Sequence, residues 1–230
     1  MFRRDAVPAD LVGRAVIDAW QSALLESGLD VAQLDGAGRP RIAFGAPLPA
    51  AAEAEAELAE IFLAERVPAW HVREALGARM PPGHVFVSAE DVWLGAPPLP
   101  GRVIAAEWRI EIDASPIDRS RLAAAAADMI AANALPRVRS KAGIEKSYDL
   151  RPLLDDIRVD SLDDGSRDPL TVRIRTRFRP ELGSGRPDEV IAALAEAAGT
   201  TLTLRRLVRE RLVLAGEEAN GSFGSPPVRR

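Results

Sequence analysis

The chain has 230 residues, 47% of them apolar and 28% charged, with no cysteine and a formal net charge of −4. This is the composition of a globular protein that can bury one large core or two small ones. Without cysteine there are no disulfides, thiolate nucleophiles or cysteine-held zinc or iron–sulfur sites, and His71 and His84 are spaced as no helical ligand pair, so no metal site or other cofactor is expected.

No apolar run approaches the roughly 18 to 20 residues that cross a bilayer, and MFRRDAVPAD lacks the apolar stretch of a signal peptide. A cytoplasmic protein with no membrane attachment is expected. Residues 1–100 hold 8 basic and 14 acidic side chains, and 101–230 hold 22 and 20. The second part is therefore the expected anion-binding part.

In chain order, Val12, Val16, Ala19, Trp20, Ala23 and Leu24 recur at helical spacing over residues 10–27, with Gly28 as the stop. A short strand is expected from Arg41 to Gly45. Residues 53–66 carry two signals: Ala, Glu and Leu favour a helix, whereas Glu53, Glu55 and Glu57 alternate with apolar residues as in a strand. As a strand they set three carboxylates about 7 Å apart on one face, and a solvated charged face accounts for the same pattern. A helix over Ala69–Ala78 and an alternating strand over His84–Val92 follow. The run Gly95–Gly101 (GAPPLPG) marks a domain boundary.

Beyond it, Ala105–Asp113 alternates Trp108, Ile110 and Ile112 with Arg109, Glu111 and Asp113, a half-buried strand. Ser115 and Pro116 are placed to open a helix with the stripe Leu122, Ala126, Met129 and Ile130. A basic loop, Arg137–Pro152, comes next, then a strand over Ile157–Asp160, the turn LDDGSRD and a strand over Leu170–Phe178. Pro187, Asp188 and Glu189 open a further helix closed by Gly199, and Leu202–Leu214 forms the last strand.

The pattern predicts an α+β protein of two tandem ferredoxin-like (split βαβ) units. The first, 1–100, lacks its opening strand, the second spans 101–215, and 216–230 form a disordered polar tail.

Of the 30 basic residues, 28 are arginine; both lysines, Lys141 and Lys146, and the only tyrosine, Tyr148, fall within Arg137–Pro152. Arg137, Arg139, Lys141, Lys146 and Arg151 could meet the face Arg173, Arg175, Arg177 of the Leu170–Phe178 strand if the two segments are neighbours in one sheet. Guanidinium groups pair bidentately with phosphate and ammonium groups add point charge, while Tyr148 could stack on an unpaired base. An arginine face paired with nearby acids accounts for the same strand. Asp149 beside Lys146 has the chemistry of an acid–base pair, though a salt bridge explains the two equally. There is no GxGxxG or Walker loop, and neither histidine has an evident serine partner. No catalytic residue is assigned.

KAGIEKSYDLRPLL, Lys141–Leu154, resembles the K–K–DLRP segment of a radical-SAM-linked bacterial family, a domain of unknown function often encoded beside, or fused to, a cobalamin-binding radical SAM protein. RPRIAFGAPLP (39–49), EAEAELAEIFL (53–63) and AAEWRIEI (105–112) agree, so the likeness spans roughly residues 10–214. The family's initial basic strand with Ser-His-Leu-Asp is not matched, and its Gly-Phe-Asn-Pro-His-Pro run is replaced by Asp35–Pro40. The resemblance implies partnership with a radical SAM enzyme, and a chain without cysteine cannot itself hold the cluster. The expected function is thus a non-catalytic accessory that presents RNA or another polyanion to that partner. The alternatives are a protein–protein adaptor and an enzyme acting on a phosphorylated or nucleotide substrate.

Overall fold

The computed structural model describes residues 1–34, 36, 38–93, 95–113, 118–141, 143–160 and 169–217. It is a mixed α+β protein in which β1 (Phe2–Arg4), α1 (Arg14–Glu26), β2 (Ile42–Phe44), β3 (Glu53–Glu57), β4 (Ala59–Ile61), α2 (Ala69–Gly77), β5 (His84–Phe86) and α3 (Leu99–Arg102) come first. They are followed by β6 (Val103–Ile112), α4 (Arg119–Ala131), β7 (Pro136–Lys141), β8 (Ile144–Asp149), a 3-10 turn (Arg151–Leu153), β9 (Leu154–Val159), β10 (Leu170–Arg179), β11 (Gly183–Ser184), α5 (Pro187–Ala197) and β12 (Leu204–Leu214). Among the described residues no helix is long and apolar enough to cross a membrane.

Two compact units form, Met1–Val103 with Arg209–Ala215, and Ile104–Val208. The expected division at 100/101 left the whole last strand in the second unit; instead its second half belongs to the first.

In the first unit the strands run β12-β3-β1-β5, and β2 pairs with β4 in a separate sheet. The expectation that this unit lacks an opening strand is corrected: Phe2–Arg4 pairs antiparallel with both β3 and β5. Three residues are too few to show a period. Phe2 is buried and meets Trp20 edge-on at 4.8 Å, joined by Ala23, Leu24 and Leu76. His84 sits against the same rings, its Nδ1 3.0 Å from the Pro82 carbonyl, and burial lowers its pKa. The strand expected over His84–Val92 is confined to His84–Phe86.

Residues 53–57 adopt the strand reading, with an irregular register: Phe2 faces Glu57 and Arg4 faces Ala54, so three residues of β3 advance against two of β1. The extra residue breaks strict alternation. Ala54 and Glu57 are both buried while Glu55 is exposed, so the three carboxylates do not share one face. Arg209, fully buried, reaches both Glu57 carboxylate oxygens at 2.5 Å and donates to the Pro47 and Ala46 carbonyls. Arg4 donates to the carbonyls of Pro49, Ala50 and Ala52. Desolvation lowers the Arg4 pKa, which Glu57 opposes and Arg209 reinforces. Two buried guanidiniums thereby tie together five carbonyls of the stretch after β2.

In the second unit the sheet runs β9-β10-β6-β12, with β11 also on β10. β10 is antiparallel to both β6 and β9. Its buried residues Leu170, Val172, Ile174 and Thr176 alternate with arginines, and Thr176 Oγ1 accepts from Trp108 Nε1 at 3.0 Å. Leu122, Ala126 and Met129 of α4 and Val190, Ile191 and Leu194 of α5 complete this core. The described start of α4 is capped by Asp118, whose carboxylate accepts from Ser120 Oγ and Arg121 N and is thereby held below the usual carboxylate range. The start expected at Ser115–Pro116, the turn LDDGSRD and the tail from 218 lie outside the described residues.

Candidate anion-binding site

The stretch read as a basic loop is a β-hairpin. β7 and β8 form their own two-stranded sheet, with Arg137 opposite Tyr148, Arg139 opposite Lys146 and Lys141 opposite Ile144. Gly143, at φ +79°, supplies the left-handed residue that so short a reversal requires. Because side chains alternate along a strand, Arg137, Arg139, Lys146 and Tyr148 share one face. Lys141 is placed by its backbone pairing alone.

The DLRP residues do structural work beneath this hairpin. Asp149 Oδ1 accepts from Leu135 N at 2.7 Å and Arg151 N at 3.0 Å, closing the hairpin's base. Leu150 is completely buried. Arg151 donates to the carbonyls of Ile130, Ala132 and Leu154 at 2.8, 3.2 and 2.7 Å, capping the end of α4. Its donors are thus turned onto protein backbone, and a phosphate contact from Arg151 finds no support in this geometry. The Asp149 oxygen is likewise committed to backbone, so an acid–base role there finds none either.

Arg137 is bound to Glu196 of α5 at 2.5 Å, which docks the hairpin on that helix. The arginine face on β10 is also committed. Arg177 makes two hydrogen bonds to Asp155, Arg175 lies 3.3 Å from Asp155 and 3.7 Å from Glu107, and Arg173 lies 3.4 Å from Asp160. These acids come from β6, from β9 and from the residue after it, so cross-strand pairing neutralises the face. The condition for convergence with the hairpin, neighbouring strands in one sheet, is not met, because β7 and β8 belong to a different sheet, and none of the three arginines lines the recess described next.

Three of the ten expected site residues do converge. Arg139, Lys146 and Tyr148 line a recess of about 220 Å³ together with Leu153, Leu182, Gly183, Ser184, Arg186 and Glu189. Arg186 is paired with Asp188 at 2.6 Å and lies 3.7 Å from Glu189. Among the described residues, Arg139 and Lys146 have no ion-pair or hydrogen-bond partner, and both are exposed. The Tyr148 hydroxyl is buried and, among the described residues, has no hydrogen-bond partner. Among the described residues no cluster of acids and histidines could hold a metal ion.

The sequence shows the helix opening at Pro187–Glu189 but not that residues 182–189 form a wall of this recess. Its signal is Gly183, Gly185 and Arg186 directly before the helix-opening Pro187. A side chain on Gly185 would collide with the Leu153 carbonyl, so this glycine lets the wall close over the 3-10 turn.

Fold and site together describe an α+β protein with a cationic recess in its second unit. The chain belongs to the bacterial family described as "Uncharacterized protein conserved in bacteria (DUF2344)", which matches residues 16–190. No curated protein matches it. Among solved structures it is similar, at 9% identity and a TM-score of 0.49, to a chain of a Cbf5-Nop10-Gar1 complex, covering 91% of this chain and 47% of that one. The chain thus spans about half the length of that neighbour.

Proposed function

We propose that this protein is a non-catalytic accessory that binds RNA through the hairpin recess and presents it to a radical SAM partner in the cytoplasm. The observation that carries the RNA part is the pair Arg139 and Lys146, directly opposed across the ladder and without an acid among the described residues. Like charges facing each other across two strands are destabilising. Arg137, Arg151, Arg173, Arg175, Arg177 and Arg186 have each found a carboxylate or carbonyl, so a cationic pair left open is the feature that a bound anion would relieve. The strand order β9-β10-β6-β12, with a helix after the first and third strands in sequence, supports reading the second unit as a split βαβ domain. The radical SAM partner rests on the resemblance of Lys141–Leu154 to the linked family.

Titrating a single-stranded RNA against the protein at several salt concentrations tests the site. Replacing Arg139 and Lys146 by Ala should weaken binding and flatten the slope of log K against log salt by about 0.7 to 1.4, about 0.7 for each phosphate no longer neutralised. An unchanged slope would remove the site. The adaptor reading keeps one supporting observation, the exposure of Trp70 (65%) and Trp93 (78%) in the first unit. It predicts that a radical SAM protein is retained after nuclease treatment.

A further inference from the structure

We infer that the recess is built for a phosphomonoester, the terminal phosphate of an RNA end or a nucleotide, rather than for an internal phosphodiester. This rests on the reading of the hairpin recess as the anion site and specifies its ligand. Three observations lead there.

The first is charge. Arg186 already shares its charge with Asp188 and Glu189, and Glu189 is the one carboxylate on the recess wall among the described residues. Arg139 and Lys146 remain uncompensated there. Two open cations match the charge of about −1.5 to −2 that a phosphomonoester carries near pH 7, whereas an internal diester carries a single negative charge. The second is size. About 220 Å³ is the room of roughly seven water molecules, enough to seat one hydrated phosphate.

The third is Tyr148. Its hydroxyl is buried without a partner among the described residues, while the residue as a whole stays partly accessible. A buried donor left unpaired costs free energy, and a turn of the ring towards the recess on binding would let a phosphate oxygen accept from it. The arrangement therefore assigns Tyr148 as a hydrogen-bond donor to the anion in place of the base-stacking role expected from the sequence. Guanidinium, ammonium and phenol together would give three different donors to one tetrahedral group.

The test compares two RNA decamers of one sequence, labelled at the 3′ end, one with a 5′-monophosphate and one with a 5′-hydroxyl, against the intact protein. The phosphorylated end should bind about tenfold tighter, the effect of one or two charge-assisted hydrogen bonds. Tyr148→Phe keeps the ring and should lower this preference several-fold. Equal binding of the two RNAs, or a preference untouched in Tyr148→Phe, would overturn the phosphomonoester inference and leave the polyanion reading standing. No binding of either RNA would overturn both. Adenosine 5′-monophosphate serves as competitor: displacement at the concentration of the RNA would support the phosphomonoester site with a small nucleotide as its source.

Discussion

Lys146 and Arg151 stand five residues apart in the same basic stretch and do opposite things. Lys146 is exposed beside a recess, whereas Arg151 spends its donors on three backbone carbonyls from two segments. Arg151→Ala should lower stability by roughly 2–3 kcal/mol, seen as a shifted denaturant midpoint at constant slope. Arg151→Lys should recover little of it, because an ammonium cannot replace a planar fork of donors. A midpoint unchanged in Arg151→Ala would contradict the capping role. Composition and spacing could not separate the two residues. Both are cations in a basic run, and only tertiary placement shows that carbonyls of α4 lie within reach of one. Asp149 is a similar case, since its backbone partner Leu135 comes from before the hairpin.

At the scale of elements, what the sequence revealed depended on length. The ten-residue strands β6 and β10 and the helix α5 each offer several turns of their period, and all three were readable. β1 has three residues and β11 two, too few for any pattern. β3 misleads for another reason, because the irregular register with β1 turns Glu57 inward towards Arg209. The arginine face of β10 was visible as a face; its acids lie on neighbouring strands, a matter of pairing that no local window contains. The recess wall depends on Gly185, where an added Cβ would meet the Leu153 carbonyl and sit 3.0 Å from Thr176 Cβ. Gly185→Ala should therefore cost about 1–3 kcal/mol through overpacking and weaken RNA binding as residues 183–186 shift. Wild-type stability and affinity in this variant would show that the wall is not held as described.

For the whole molecule, the two units divide their charges differently. The first buries Arg4, Arg209 and Glu57 to hold a turn, so its cations serve the fold. The second neutralises the arginines of β10 and, among the described residues, leaves two cations of the hairpin open. The excess of basic residues after position 100 falls in the unit that carries this open pair, although many of those residues are occupied in ion pairs. What the excess could not show is which cations remain, and the proposed RNA binding turns on that remainder. The most direct measurement is ultraviolet cross-linking of the tagged protein in its own host, followed by purification with and without nuclease and mapping of both RNA and protein partners. RNA adducts on the hairpin, at residues 137–148, together with a radical SAM protein, are the predicted result. A radical SAM protein recovered without RNA and unaffected by nuclease would contradict it and make the hairpin a protein-docking surface.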